Sequence, residues 1–353
     1  MATPSLTILE LTLLAHHGEP IVGHQLQGMT MARAPLPGAA FTKVNLQEAD
    51  FSNADLREAV FDQCDLTGAN FTEAQLRGTV FNRCRFQQVQ GARANLHAAK
   101  FLDTGLQDSV LNGADLNLAA FHRCRLSRTQ LEGALIDRST FVSCALPQAV
   151  LRNVHFHQVT FSSIDLAEAD WTGASFVNTV FHEVDLKGRS FAGQRVTGCQ
   201  FPDSALDNVN FEGATLTQSN FQSASLAAAN FTRADAAMAI FMKARAQGAK
   251  FGGARLRHAL FGEAQLEQCS FDGADLYQAY FADATLQQCS LRDCELTYAD
   301  FSRAKLPQCR LQGSKLERAK FHRSDLNGTE LPAGHGGLGT DPVQARAELW
   351  PNG

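Results

Sequence analysis

From Leu26 to Leu331 a large apolar residue stands at every fifth position, with no insertion or deletion. Only Gly91, Ala236 and Ala246 in this column are small, and all 25 phenylalanines of the chain lie in it. Two places earlier sits a small residue, usually Ala, Ser, Thr, Cys or Val, as at Ala49, Ala54, Ala59 and Cys64. A period of five fits neither regular element. Five residues of α-helix turn through about 500°, so the apolar stripe would circle the axis. In one continuous strand the stripe would change face at each recurrence. A short extended segment plus a corner satisfies the pattern. The small and large residues, two apart, point inward, the residue between them points outward, and the next two turn the chain. Corners that close on themselves make a coil with an apolar interior.

A longer repeat sets the number of sides. Every twentieth residue from Phe41 to Phe321 is phenylalanine, and the column that starts at Leu46 is almost all leucine. Cysteines keep the same interval, at Cys64 and Cys84, at Cys124 and Cys144, and at Cys269, Cys289 and Cys309. Twenty residues per turn means four sides, with about 15 coils stacked ~4.8 Å apart as parallel ladders. The fold class expected is therefore all-β, a quadrilateral parallel β-helix.

The segments AlaAspPheSerAsn (49–53), AlaAspLeuArgGlu (54–58) and AlaAsnPheThrGlu (69–73) resemble the pentapeptide-repeat proteins. The resemblance covers residues 21–331 and implies a right-handed quadrilateral β-helix. It implies little about activity, because one fold serves many functions. The lead-in at 18–28 resembles that of pentapeptide-repeat proteins encoded with bacterial type VI secretion machinery.

Stacked coils expose strand edges at both ends, so caps are expected. Three parts result: an N-terminal cap at 1–20, the coil at 21–331 and a tail at 332–353. Thr3-Pro4 reads as a helix start and Gly18 as its stop, with His16 and His17 in the last turn. This predicts a capping helix over 4–17 with Leu6, Leu9 and Leu13 on its inner face. A strand is the alternative, because Leu9, Leu11 and Leu13 alternate with polar residues. In the tail, a hinge containing Gly334, Gly336, Gly337 and Gly339 precedes Thr340-Asp341-Pro342, which can start a short helix with Val343, Ala347 and Trp350 on one side.

Composition narrows the function. Hydrophobic residues are 44% and charged residues 19%, which excludes wholesale disorder. A net charge of −5 is too mild for binding nucleic acid through a basic surface, so no direct nucleic-acid binding is expected. No apolar run reaches the roughly 18 residues of a membrane helix, so no membrane is expected as a partner. The stretch from Met1 to Pro20 carries Glu10 and Glu19 and no Lys or Arg, unlike a secretory signal. The expected location is a reducing bacterial cytoplasm, with export by a system that needs no signal peptide as the variant on it. All nine cysteines fall at small inward positions and read as buried free thiols. The histidines, including His155 and His157 and the column of His122, His182 and His322, read as scattered surface groups. No catalytic residue, cofactor or metal site is expected, and the chain is read as a non-enzyme.

Two departures from the outward pattern remain. The residue before the Phe column should face water, yet it is Ile240, Leu260 and Tyr280 on three successive turns, with Met238, Tyr277 and Tyr298 nearby. These six form a candidate interface, to be covered by a protein partner, a second copy, or the tail with Trp350. At 187–196, Arg189 and Gln194 take inward small positions, so either the coil opens there or the side chains find partners; a local distortion is expected, with a ligand site as the alternative. Charge is banded along the sequence: residues 41–80 are net −4 and residues 301–331 net +4. The function expected is a protein-interaction scaffold, an accessory of a bacterial secretion system in one form. The alternative is modulation of DNA gyrase by imitating duplex DNA, as the fluoroquinolone-resistance members of the family do. That fits the charge poorly, because Asp55, Asp65, Asp165 and Asp185 are interrupted by Arg85, Arg125 and Arg245.

Overall fold

The structure is a computed structural model that describes residues 6–166 and 168–348. The chain divides into two compact units, Met1–Val180 and Phe181–Gly353.

The first unit begins with helix α1, Ile8–His17. The expected start at Thr3-Pro4 lies outside the described residues, and the helix is capped at Thr7 instead. Glu10 N–H donates to Thr7 Oγ1 at 3.3 Å, while the Glu10 carboxylate accepts from Thr7 N–H at 2.7 Å. This reciprocal pair satisfies donors that a bare helix end would leave open. Gly18 ends the helix with φ 69°, as expected. The expected inner face is corrected. Leu11 and Ala15 are the buried pair, while Leu9 and Leu13 are 67% and 48% exposed. Residues 11 and 15 are one turn apart, so the helix lies on that line and turns Leu9 and Leu13 outward.

Behind the cap, short strands pair in parallel, each with its counterpart one full repeat further along the chain. They start with Ile21–Val22, Ala40–Thr42 and Val60–Asp62 and run to Thr140–Val142 and Thr160–Ser162. Phe41, Phe61 and Phe81 are register partners, and their rings stack 4.9 and 5.2 Å apart, within 6° of parallel. On an adjoining side Leu135–Asp137, His155–His157 and Ser175–Val177 form a second ladder. The remaining sides pair as single-residue bridges, such as Asn45↔Asp65 and Asp50↔Asn70. Only one residue per side is free of corners there, so the ladders are as short as ladders can be.

The corners explain the spacing of polar residues. Each holds one residue near φ +55°, such as Glu48, Asn53, Glu58 and Gln63, and closes with a bond such as Ala49 N–H to the Leu46 carbonyl, 3.1 Å. The other amides reach the neighbouring coils, as from Leu46 to Asp65 and from Asp50 to Met29. The backbone is thus satisfied without long strands.

The small inward position has chemistry of its own. When it is Ser, Thr or Cys, its side chain donates to the carbonyl of the large residue one coil and one corner earlier. Thr79 binds the Leu56 carbonyl at 2.8 Å, Ser109 that of Phe86 at 2.6 Å, and Cys84 that of Phe61 at 3.2 Å. All nine cysteines are buried and form no disulfide.

The second unit repeats the plan with single bridges, from Asp185↔Ala205 through Arg310↔Glu330. Its Phe column stacks without a break from Phe181 to Phe321, at 4.7 to 5.3 Å. A second column, Phe191 to Phe271, meets the first edge-on. Edge-on separations fall from 6.5 Å at Phe191–Phe201 to 5.5 Å at Phe231–Phe241, then rise to 6.0 Å at Phe271–Phe281. The minimum lies beside Ala236 and Ala246. The space these small residues leave is closed by the rings, and both are fully buried.

The tail folds back on the last coil. Leu338 bridges Lys320, with Phe321 N–H to the Leu338 carbonyl at 2.8 Å and Leu338 N–H to the Ala319 carbonyl at 2.7 Å. Of the glycines expected as a hinge, Gly334, Gly336 and Gly339 are exposed and Gly337 is packed. A Cβ on Gly337 would stand 2.9 Å from the Phe321 ring, so glycine lets the chain lie on the final phenylalanine. Helix α2, Pro342–Ala347, starts at Asp341, as the sequence predicts. Val343 is 75% exposed, so it marks no inner face, and Trp350 lies outside the described residues.

Candidate interaction surface

The candidate surface lies in the second unit, on the side that carries the unbroken Phe column. None of the residues flanking Phe201, Phe221, Phe241, Phe261 and Phe281 is charged. Parallel bridges align Asn220, Ile240, Leu260, Tyr280 and Asp300 in one ladder. Leu260 is 37% exposed, while Ile240 and Tyr280 are half-buried.

The residue after each phenylalanine completes the surface, and sequence reasoning missed it. A Cβ on Gly262 would stand 2.8 Å from both Met242 Sδ and the Tyr280 ring. Glycine there lets Met242 and Tyr280 close over the strand, and both Gly262 and Ala282 are buried. The signal was present: Met242, Gly262 and Ala282 follow the column just as Ile240, Leu260 and Tyr280 precede it.

The adjoining corner carries the other predicted residues. Tyr277 and Tyr298 meet edge to face with centroids 5.9 Å apart, and His258 meets Tyr277 at the same distance. The Arg257 guanidinium lies 4.5 Å from the Tyr277 centroid, and Arg318 lies 5.8 Å from that of Tyr298. Met238 is 52% exposed and Tyr298 42% exposed on this corner column. The structure therefore gathers the six residues on one ladder and its neighbouring corner. Ion pairs rim the opposite corner, Lys243 with Glu263 at 3.6 Å and Arg303 with Asp283 at 2.8 Å. The arginine holds the Asp283 carboxyl below its ordinary pKa.

Arg189 and Gln194 are placed elsewhere and do not join this surface. Both are half-buried, and burial lowers the Arg189 pKa from its ordinary value. The corner bonds Arg189 N–H to Leu186 and Gln194 N–H to Phe191 measure 3.1 and 3.0 Å, as at other corners. These two corner bonds are regular.

Of the histidines read as surface groups, His155 meets Ser175 Oγ at 2.8 Å and His157 meets Asp137 at 2.6 Å, whereas His322 is corrected to a buried residue under the tail. Among the described residues no group of three or more His, Cys, Asp or Glu is placed to hold a metal ion. No helix among them is long and apolar enough to cross a membrane.

Two family models match the chain. The one for a pentapeptide repeat region matches residues 58–131, 114–191 and 263–334. The one for pentapeptide repeats in eight copies matches 36–72 and, in overlapping segments, 190–276. No curated protein matches. Among solved structures, the chain is similar to HetL, a pentapeptide repeat protein involved in heterocyst differentiation regulation from the cyanobacterium Nostoc sp. strain PCC 7120. Identity is 23% over 70% of this chain and 86% of that one, with a TM-score of 0.24. Full-length QnrB1, a plasmid-mediated fluoroquinolone resistance protein, is 22% identical over 65% of this chain and 94% of that one, with a TM-score of 0.19. A pentapeptide repeat protein of the Arabidopsis thaliana thylakoid lumen is 28% identical over 34% and 66%, with a TM-score of 0.13. None of these likenesses reaches beyond the fold.

Proposed function

Because this chain belongs to the pentapeptide-repeat family, we propose that it is a protein-binding scaffold whose docking surface is the Ile240–Leu260–Tyr280 ladder with its tyrosine corner. The observation that carries this reading is the uncharged stretch of β face in the second unit, centred on a half-exposed leucine and bordered by ion pairs. An apolar centre with tyrosines and a charged rim is the usual anatomy of a protein contact. The scaffold acts without catalysing a reaction; in support, its thiols are buried hydrogen-bond donors and His155 and His157 are tied to Ser175 and Asp137.

The test uses a photo-crosslinking residue at Tyr298 to identify what touches the corner. The purified partner then binds the unchanged chain and fails to bind the double variant Leu260→Asp, Tyr280→Asp. If the captured species is a second copy, sedimentation reads the same loss. Equal binding by both proteins removes this surface.

Gyrase modulation by duplex mimicry is the weaker reading. Asp103, Asp108 and Asp283 each accept two bonds from an arginine one coil on, at 2.6 to 2.8 Å. Carboxylates neutralised in this way do not imitate rows of phosphates. The expected outcome is unchanged gyrase supercoiling in the presence of the protein, and strong inhibition would place this reading first.

A further inference from the structure

The strand His155–His157 of the first unit carries one histidine on each side of Phe156. Successive residues of a strand point to opposite faces. Phe156 is buried, so both imidazoles stand on the outer face, where both residues are exposed. By spacing alone they read as scattered surface groups. The register adds what spacing lacks. Asp137, on the coil before, is the register partner of His157, and Ser175, on the coil after, is that of His155.

Both rings are held by the same nitrogen. His157 Nδ1 lies 2.6 Å from Asp137 Oδ1. A carboxylate only accepts, so Nδ1 carries the proton and donates. Asp137 is fixed in turn. Arg138 Nε donates to its other oxygen at 2.8 Å, and its own backbone N–H donates to Asn117 Oδ1 at 2.9 Å. The bond from His157, first among the causes, holds the Asp137 carboxyl below its ordinary pKa. His155 Nδ1 lies 2.8 Å from Ser175 Oγ, a hydroxyl that accepts as well as donates. With Nδ1 engaged as the donor, Nε2 of each ring is left to offer its electron pair.

A neutral imidazole whose second nitrogen is tied to a carboxylate or another polar group is the usual form of a metal-binding histidine. Residues two apart on a strand are about 6.6 Å apart at the backbone. Around a tetrahedral zinc-type ion two ring nitrogens stand about 3.3 Å apart. Each ring therefore leans inward by under about 2 Å. Leu135 and Val177, the other register partners of the pair, bring no charge that would compete.

We propose that His155 and His157 form a binding site for a divalent transition cation of the zinc type, with Asp137 and Ser175 positioning the rings. Imidazole nitrogens suit such an ion, whereas magnesium and calcium take oxygen ligands. Water fills the two remaining tetrahedral positions, so the ion is exchangeable. A pair of protein ligands agrees with the absence, among the described residues, of any metal-holding group of three or more. The site shares no residue with the proposed docking surface, so the failure of either reading leaves the other intact.

The test titrates the full chain, its thiols kept reduced, with zinc against a chromophoric chelator. The double variant His155→Gln, His157→Gln should lose one equivalent of bound zinc, and Asp137→Asn should weaken that equivalent about tenfold or more. Nitrogen NMR of the imidazoles should place zinc on Nε2 of both rings with Nδ1 still protonated. In Asp137→Asn the share of His157 protonated on Nδ1 should fall, which a purely structural role for Asp137 would not produce. If circular dichroism shows that the double variant does not fold, His155→Gln alone is read, with the same loss expected. Equal zinc binding by the unchanged chain and the histidine variants overturns the proposal. So does zinc bound through Nδ1, or its displacement by a large excess of magnesium. Unchanged affinity and tautomer in Asp137→Asn overturn the positioning role.

Discussion

The rings of Phe71 and Phe86 lie 5.6 Å apart and 11° from parallel, although they come from adjoining sides of the coil. Phe51 and Phe71 begin a stack at 4.9 Å whose next member by register is Gly91. Phe86 leans across to continue it, and Leu111 closes in from beyond, with Cδ2 2.8 Å from where a Gly91 Cβ would stand. One side lends a ring to a neighbour that lacks one.

This exchange predicts strong coupling. Phe86→Ala should cost about 3–5 kcal/mol. Gly91→Phe alone should destabilise by overpacking, by about 1–3 kcal/mol. The double variant Phe86→Leu, Gly91→Phe restores the regular columns and should be more stable than the sum of its parts by over about 1 kcal/mol. Denaturant melts of the unchanged chain, Phe86→Leu, Gly91→Phe and the double variant measure it, and additive effects would refute the loan of the ring.

Around Ala246 the sequence points either to looser packing or to a narrowed coil, and the ring separations show the narrowing. A leucine there would have to push Phe241 from Phe251, now 5.7 Å apart. Ala246→Leu should therefore cost about 1–3 kcal/mol. A higher melting temperature for that variant would contradict the closed packing.

The thiols of Cys289 and Cys294 should be inert. Burial pushes the Cys289 thiol well up and Cys294 up to about 12. Reactivity needs the thiolate. At pH 8 a thiol reagent should label neither cysteine until the protein unfolds. Rapid labelling of the native protein at Cys294 would show that its pocket opens.

Acid should release the tail. Hydrogen bonding to His322 comes first among the causes that hold the Glu348 carboxyl below its ordinary value, with Gln344 and Arg323 assisting. A lowered value means that the docked form is favoured while the carboxylate is charged. Its contribution is complete above the ordinary glutamate range and is lost as pH falls through the lowered value. Rate-corrected hydrogen exchange at the Ala345 and Glu348 amides should lose protection there, while coil amides such as Leu46 keep theirs. Protection of both tail amides at pH 3 would mean that Glu348 is not the latch.

The coil was legible because Phe41 and its successors never leave their period, so one rule places most inward residues. What the rule omits was not legible. Thr3-Pro4 reads as a helix start, but the cap lies at Thr7, where Glu10 closes the reciprocal pair. Leu9 and Leu13 suggested an inner face, but α1 lies on Leu11 and Ala15. For the candidate surface, Ile240, Leu260 and Tyr280 were visible as an outward column. Met242 and Gly262 follow the same column in the sequence, but their role shows only in the structure, where Met242 and the Tyr280 ring close over Gly262. The tail was hidden for another reason: Leu338, not Thr340, joins the ladder beside Lys320, out of step with the period that revealed everything else.

The exact register that makes the coil legible also makes it ambiguous to the folding chain. A segment could pair with the second coil away, loop out the one between, and still set column on column. Such a slip leaves most inward contacts intact. It is opposed wherever two neighbouring coils fit only each other. Gly91 fits between Phe86 and Leu111, and a coil shifted by one turn would set a leucine or phenylalanine in its place. Phe86 with Gly91, and Ala236 with Ala246 and their closed rings, are then the marks by which the chain counts its own turns. Their irregularity is what makes one winding number cheaper than the next.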